Sequence, residues 1–330
     1  MYIKSLSYED QSTGWKLEKI EFNNPLTLLV GVSGVGKTQI LQALLNLQKI
    51  SRGESLNGLK WEIEFRTSSG HDCKWSGAFE NKGFVSELIL RKMSYQDEKY
   101  KPLIDNEKLL IDNILIVNRN REDTLFNDVK TVKLLQQKSI IYLLKEESQI
   151  KDIYKNFEMI IFDNHAKNLF LFPVIESVLE LEKYKTLESI RNSDEQIKNK
   201  LCLLYVTQKK LFEEIAGIFI DIFPNIEDIK IETIDEHKEL KTPVLEDFLF
   251  IKIKEKNVSH WIEEFKISSG MLKTLIHIAE LYLCADNSVI LIDEFENSLG
   301  INCIDELTSC ILTSERNLQF IITSHHPYII

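Results

Sequence analysis

The sequence predicts an α/β fold in which a parallel core sheet carries an antiparallel β lobe and a helical insert. Three observations predict it. The first 30 residues alternate like strands and lead through a glycine-rich turn into a helical stretch. Residues 60–118 are again rich in strand-like segments. From residue 267 onward the order is turn, helix, buried strand, helix, buried strand, the alternation of a parallel sheet.

Each element follows from its local pattern. YIKSLSY, KLEKIEF and LTLLV read as the opening strands, and residues 37–49 as a helix, because Ile40, Leu41, Leu44, Leu45 and Leu47 recur at helical spacing. WEIEF, CKWSGAF, SELIL and NILIV read as strands of an antiparallel sheet. Residues 131–222 read as mostly helical: LLQQKSIIYLLKEE, IKDIYKNFEMIIF, FPVIESVLELEKYKTLESIRN and IKNKLCLLYVTQKKLFEEIAGIFIDIF, closed by Pro224. IEDIKIETI and DFLFIKIKEK return to strands. The expected domains are therefore a first strand and β lobe over 1–130, a helical insert over 131–222, and the second half of the core over 223–330.

Composition bounds the function classes. The chain has 330 residues, 44% hydrophobic and 28% charged, which suits a globular protein with a sizeable core. The formal net charge of -11 argues against non-specific coating of nucleic acid, which needs clustered Lys and Arg, and leaves a local basic patch and DNA as an open partner. Cys73, Cys202, Cys284, Cys303 and Cys310 are odd in number and have no C-x-x-C spacing, so they read as free thiols of a reducing compartment. The N-terminus has no cationic segment followed by an apolar run, and no stretch has the roughly eighteen apolar residues of a membrane span. A cytoplasmic protein without a membrane partner is the expectation.

Four motifs carry chemistry. Gly31-Val32-Ser33-Gly34-Val35-Gly36-Lys37-Thr38 matches G-x-x-x-x-G-K-[ST] between a buried strand and a helix. Such a loop wraps phosphate in backbone N–H groups, and the helix N-terminus favours the anion. Gly31, Ser33, Gly34, Val35, Gly36 and Gln39 belong to the expected nucleotide contacts, Lys37 reaches the β- and γ-phosphates, and Thr38 ligates Mg²⁺. In Ser288-Val289-Ile290-Leu291-Ile292-Asp293-Glu294 a buried strand ends in two acids, Asp293 to hold Mg²⁺ and Glu294 to polarise the attacking water. Ser268-Ser269-Gly270-Met271 opens a helix, with Gly270 lying 23 residues before Asp293. Its bland reading is a helix cap. Its functional reading is an anion site formed by Ser268, Ser269 and Gly270 for the γ-phosphate of ATP held by a second copy. Gln319 to Pro327 is a strand ending in Ser324-His325-His326, where His325 is the candidate to contact phosphate and orient water, and His326 the structural member. Phe295 to Gly300 sits where a loop can cross a dimer interface, or simply starts a helix.

The order P-loop, S-S-G-M, D-E, His resembles the ABC ATPase superfamily over the whole chain. It looks most like SMC-like, OLD-like AAA ATPases, in which D-E-x-E-N-x-L (here Asp293 to Leu299) follows the buried strand and S-H-H-P (here Ser324 to Pro327) closes the core. The resemblance implies a P-loop NTPase of ABC type, with ATP and Mg²⁺ as ligands and two heads paired head to tail around two ATP molecules. ATPase subunits of anti-phage systems, those of PARIS and Septu and those beside some retrons, are similar. They imply a sensor or scaffold that controls an effector such as a nuclease. The alternative is an SMC-like ATPase for DNA repair or DNA clamping. A self-contained nuclease is disfavoured, because no HNH-like set and no Toprim-like acidic pair occurs and Asp163-Asn164-His165 reads as a turn. The signature departs from the L-S-G-G-Q of transporters, and Asn118 stands where a Q-loop glutamine is expected. A core of this type usually continues with a further strand and helix beyond Ile330, which leaves the end of the native chain open.

Overall fold

The structure, a computed structural model, describes residues 1–83, 101–163, 172–173, 183–233, 248–296 and 301–325. The fold is mixed α/β, and the chain forms two compact units. The first comprises Met1–Asp163, Asn287–Asp293 and Asn317–Thr323; the second comprises Asn164–Asp286, Glu294–Arg316 and Ser324–Ile330.

In the first unit, β1 (Tyr2–Asp10), β2 (Trp15–Glu21), β4 (Leu59–Arg66), β5 (Asp72–Phe79), β6 (Ile104–Ile111), β7 (Ile114–Asn120), β8 (Thr124–Phe126) and β9 (Val129–Lys130) form one sheet in the order β2-β1-β4-β5-β6-β7-β8-β9. Its pairings are antiparallel. Strand β4 buries alternate residues, Trp61, Ile63 and Phe65 on one face, as a sheet with one covered face requires. The second sheet runs β10 (Ile160–Asp163), β15 (Val289–Ile292), β16 (Gln319–Ser324) and β3 (Leu26–Val30), with β10, β15 and β16 parallel. All four residues of β15 are buried, the continuous apolar run of a central parallel strand. Helix α1 (Lys37–Ser51) places Leu41, Leu44, Leu47 and Ile50 in the same core as Trp75, Phe157 and Leu291.

The helical reading of 131–222 needs correction at three places, one of them Phe172–Pro173, which pair as a strand with Phe248 and Leu249. Within LLQQKSIIYLLKEE only α2 (Ile140–Leu143) is α-helical, with Ser139 as its N-cap. The preceding carbonyls are taken by the lobe: Arg119 donates to Leu135 and Lys138, and the Ile104 N–H donates to Gln136. These bonds tie the segment to the lobe in place of a helix. After α3 (Ser148–Glu158), Ile160 to Asp163 form a strand against Val289–Ile292, not more helix, and Asn164 and His165 lie outside the described residues. A short apolar run fits a buried strand as well as a buried helix segment, and here the neighbouring strand decides.

Strand β6 breaks the expected alternation because Glu107 occupies a fully buried position. Its carboxylate accepts from Trp75 Nε1 at 3.0 Å and from the Ile140 N–H at 3.0 Å, and it pairs with Arg119 at 3.3 Å. Burial pushes this carboxyl up in pKa, opposed by Arg119 and Trp75. Asn118 is an exposed residue inside β7, opposite Leu125 and Lys108, and not part of a loop. The SELIL segment lies outside the described residues.

The second unit holds the short strand β11 (Phe172–Pro173), helices α4 (Leu187–Arg191), α5 (Ile197–Thr207) and α6 (Lys209–Ile222), and strands β12 (Ile226–Thr233), β13 (Phe248–Glu255) and β14 (Ile262–Glu263). Strands β11, β13 and β12 form an antiparallel sheet, with β14 paired to β13. Helices α7 (Ser269–Leu283) and α8 (Ile301–Thr313) complete it. Cys73, Cys202, Cys284, Cys303 and Cys310 are free thiols. Among the described residues no helix is long and apolar enough to cross a membrane.

Candidate functional site

Strand β3 ends at Val30 and α1 begins at Lys37, so Gly31 to Gly36 form the turn between them. Gly34 and Gly36 have φ of 85° and 94°, a left-handed backbone that a Cβ disfavours. Gly36 also has little room for a side chain, because a Cβ there would lie 3.2 Å from the Trp15 indole nitrogen and 3.4 Å from Gln39 Oε1. No side chain caps α1. Val32 and Val35 are 74% and 60% exposed, unusual for valine and consistent with a loop shaped by its backbone.

Lys37 is 7% exposed, and its ammonium donates to the carbonyls of Gly31 and Val32. The lysine therefore folds back across the mouth of its own loop. Thr38, the next residue of α1, donates its hydroxyl to Asp293 Oδ1 at 3.0 Å. Thr323 donates to the same oxygen at 2.6 Å. The parallel register explains the meeting: β15 and β16 pair Ile292 with Ile322, so the next residues, Asp293 and Thr323, leave the sheet side by side. The first unit thus gathers an ammonium, two hydroxyls and a carboxylate where β3, β15 and β16 end.

These groups fit a magnesium nucleotide. Hydroxyl and carboxylate oxygens are the hard donors Mg²⁺ takes, and the glycine turn with a lysine suits a polyphosphate. Ser33, Val35 and Gln39 belong to the same loop and first helical turn, each exposed.

The second unit holds the other candidates. Ser268 is the N-cap of α7, its hydroxyl accepting from the Met271 N–H at 3.3 Å, so the cap reading of this serine holds. Ser269 is exposed, and the Gly270 carbonyl accepts from Thr274 Oγ1 at 2.9 Å. Glu294 has φ of 50°, a left-handed conformation rare outside glycine. Its carboxylate lies 3.6 Å from His325 Nε2, and the His325 N–H donates to Glu296. Asn297 to Gly300, His326 and Pro327 lie outside the described residues.

Sequence reasoning missed Trp15, Thr323 and Glu296. Thr323 sits inside a motif noticed for its histidines, and the signal for it was the polar residue at the end of an apolar strand. Trp15 carried no signal, since its place beside Gly36 is set by the β1–β2 hairpin.

Comparison with known proteins gives a partial family match and solved structures of low identity. Residues 182–330 match a family model described as "AAA domain, putative AbiEii toxin, Type IV TA system". No curated protein sequence matches the chain significantly. Among solved structures, an SMC head bound to the C-winged helix domain of ScpA is 15% identical, covering 100% of this chain and 91% of its own, with a TM-score of 0.49. The SMC head domain from Thermotoga maritima is 12% identical with the same coverage and a TM-score of 0.44. The Smc head domain from Pyrococcus furiosus, bound to the C-terminal domain of ScpA, is 14% identical, covering 99% of this chain and 90% of its own, with a TM-score of 0.47.

Proposed function

We propose that this chain is an ATP-binding and ATP-hydrolysing head that pairs with a second copy around ATP and controls a partner effector. The observation that carries the reading is the convergence of Lys37, Thr38 and Thr323 around the loop and Asp293. In this reading the Gly31–Gly36 turn and Gln39 bind the nucleotide, and Lys37 neutralises the terminal phosphates. Thr38 and Asp293 would hold Mg²⁺, which supplies charge neutralisation at the phosphates when bound. Trp15 places its indole nitrogen beside the loop at Gly36. Glu294, next in the chain after Asp293, accepts a proton from the attacking water, and His325 keeps that carboxylate and the water oriented. Ser268, Ser269 and Gly270 bind the γ-phosphate of the second copy's ATP.

The test is phosphate release from ATP by wild type and by Lys37→Ala. Wild type turns over, and the variant loses at least ~100-fold, the scale of removing one charge-stabilising group from a phosphoryl-transfer site. No release by wild type, or an unchanged rate in Lys37→Ala, contradicts the reading.

The effector role rests on two further supports. The family model matching residues 182–330 is described as "AAA domain, putative AbiEii toxin, Type IV TA system", and among the described residues no other cluster of His, Cys, Asp and Glu could hold a metal ion. We place the protein in anti-phage defence, restraining an effector such as a nuclease. Purification from the native operon checks this: a second protein should co-elute and leave on ATP addition. A head that elutes alone and clamps DNA in an ATP-dependent, salt-controlled assay contradicts it.

A further inference from the structure

Glu294 is a non-glycine residue in a left-handed conformation, and such a conformation persists only where the surroundings over-determine it. The next residue, Phe295, is 2% exposed and serves as the anchor. Its ring packs against His277, with centroids 5.5 Å apart and planes at 51°. His277 is itself buried in α7, and its Nδ1 lies 2.9 Å from Glu280 Oε2, one helical turn further on. Glu280 is 1% exposed, so the imidazole is held by a partner that has no room to swing away. Helix α7 starts at the Ser268-Ser269-Gly270 turn, and His277 lies seven residues after Gly270, two turns along the same rigid element.

We propose that His277 is a positioning residue for Glu294: held by Glu280, it fixes Phe295 and through it the aim of the Glu294 carboxylate, so that α7 carries the state of the S-S-G-M turn to the hydrolytic carboxylate. The inference rests on the ATPase reading above. It explains why a histidine and a glutamate are buried in a helix whose neighbouring positions Ile276, Ile278, Ala279 and Leu281 are apolar, where leucine would pack without needing a partner. When the turn engages a phosphate of the second copy, a small shift of α7 re-aims the carboxylate. Hydrolysis is thereby tied to closure.

The experiment compares His277→Ala, His277→Gln and Phe295→Leu, each alone and combined with Glu294→Gln, by single-turnover phosphate release, nucleotide binding and circular dichroism. His277→Ala and Phe295→Leu should slow hydrolysis at least ~10-fold with ATP affinity unchanged, as expected for a misplaced catalytic group. His277→Gln, which keeps a hydrogen bond to Glu280, should recover part of the rate. In the Glu294→Gln background none of the three should slow the residual rate further, because the group they position is gone. Wild-type rates in folded His277→Ala, or an equal fold-loss in both backgrounds, would overturn the proposal. If His277→Ala does not fold, wild-type turnover in Phe295→Leu overturns it equally. Absence of any phosphate release by wild type would instead overturn the ATPase reading itself.

Discussion

Asp293 accepts two hydroxyl hydrogen bonds on one carboxylate oxygen, from Thr38 and Thr323, so its orientation is fixed from helix α1 and strand β16 at once. Its neighbour Glu294 is 48% exposed at the side chain, with its carboxylate 3.6 Å from His325 Nε2. In the proposed reading the two acids do different work, Asp293 in cation binding and Glu294 in proton transfer. Glu294→Gln tests the division, since it keeps the size and hydrogen bonding of the side chain while removing the base. ATP affinity should stay within about twofold while turnover falls ~100- to 10,000-fold, the range of general-base removal. Titration calorimetry beside a phosphate-release assay checks both, and a wild-type rate would exclude Glu294 as the base. At this scale most of the site was legible in the sequence. Lys37, Thr38, Asp293 and Glu294 sit in local patterns whose spacing encodes their geometry. Thr323 and Trp15 were not legible, because strand register brings the first to Asp293 and a hairpin brings the second to Gly36.

Strand β6 and the segment before α2 show how one buried ion pair can set several elements. Arg119 on β7 and Glu107 on β6 are both fully buried, and between them they engage Trp75, Leu135, Lys138 and Ile140. The pair ties the antiparallel lobe to the chain that enters α2. Removing one partner leaves the other charge buried, and removing Arg119 also takes the guanidinium donor from the carbonyls of Leu135 and Lys138. Arg119→Ala should therefore destabilise the first unit by about 3–5 kcal/mol, whereas the double change Arg119→Met with Glu107→Leu should be much milder. Urea unfolding followed by tryptophan fluorescence reads this directly through Trp75 and Trp61. A loss below about 1 kcal/mol in Arg119→Ala would mean that the pair is not holding the segment. The same pair explains why part of the fold was not legible. Glu107 interrupts the apolar alternation that marks a strand, and the carbonyls claimed by Arg119 stop an apparently helical run. Ile160 to Asp163 failed for a different reason, since four apolar-rich residues acquire strand geometry only beside Val289–Ile292.

On the scale of the whole molecule, the account makes ATP the joint between two copies. A nucleotide shifts a monomer–dimer equilibrium only by the difference in its affinity for the two states. In the proposed arrangement that difference comes from the S-S-G-M turn, which meets ATP only across the dimer. Blocking hydrolysis should preserve the closed state, and blocking the turn should abolish it while leaving the loop's own nucleotide binding intact. The measurement that tests the central claim most directly is the mass of Glu294→Gln protein by light scattering with Mg·ATP, with Mg·ADP and without nucleotide. The account predicts a doubling of mass with Mg·ATP alone, lost when Lys37→Ala or Gly270→Arg is added to the same protein. An unchanged mass in all three conditions, or a doubling that survives both added substitutions, would contradict it.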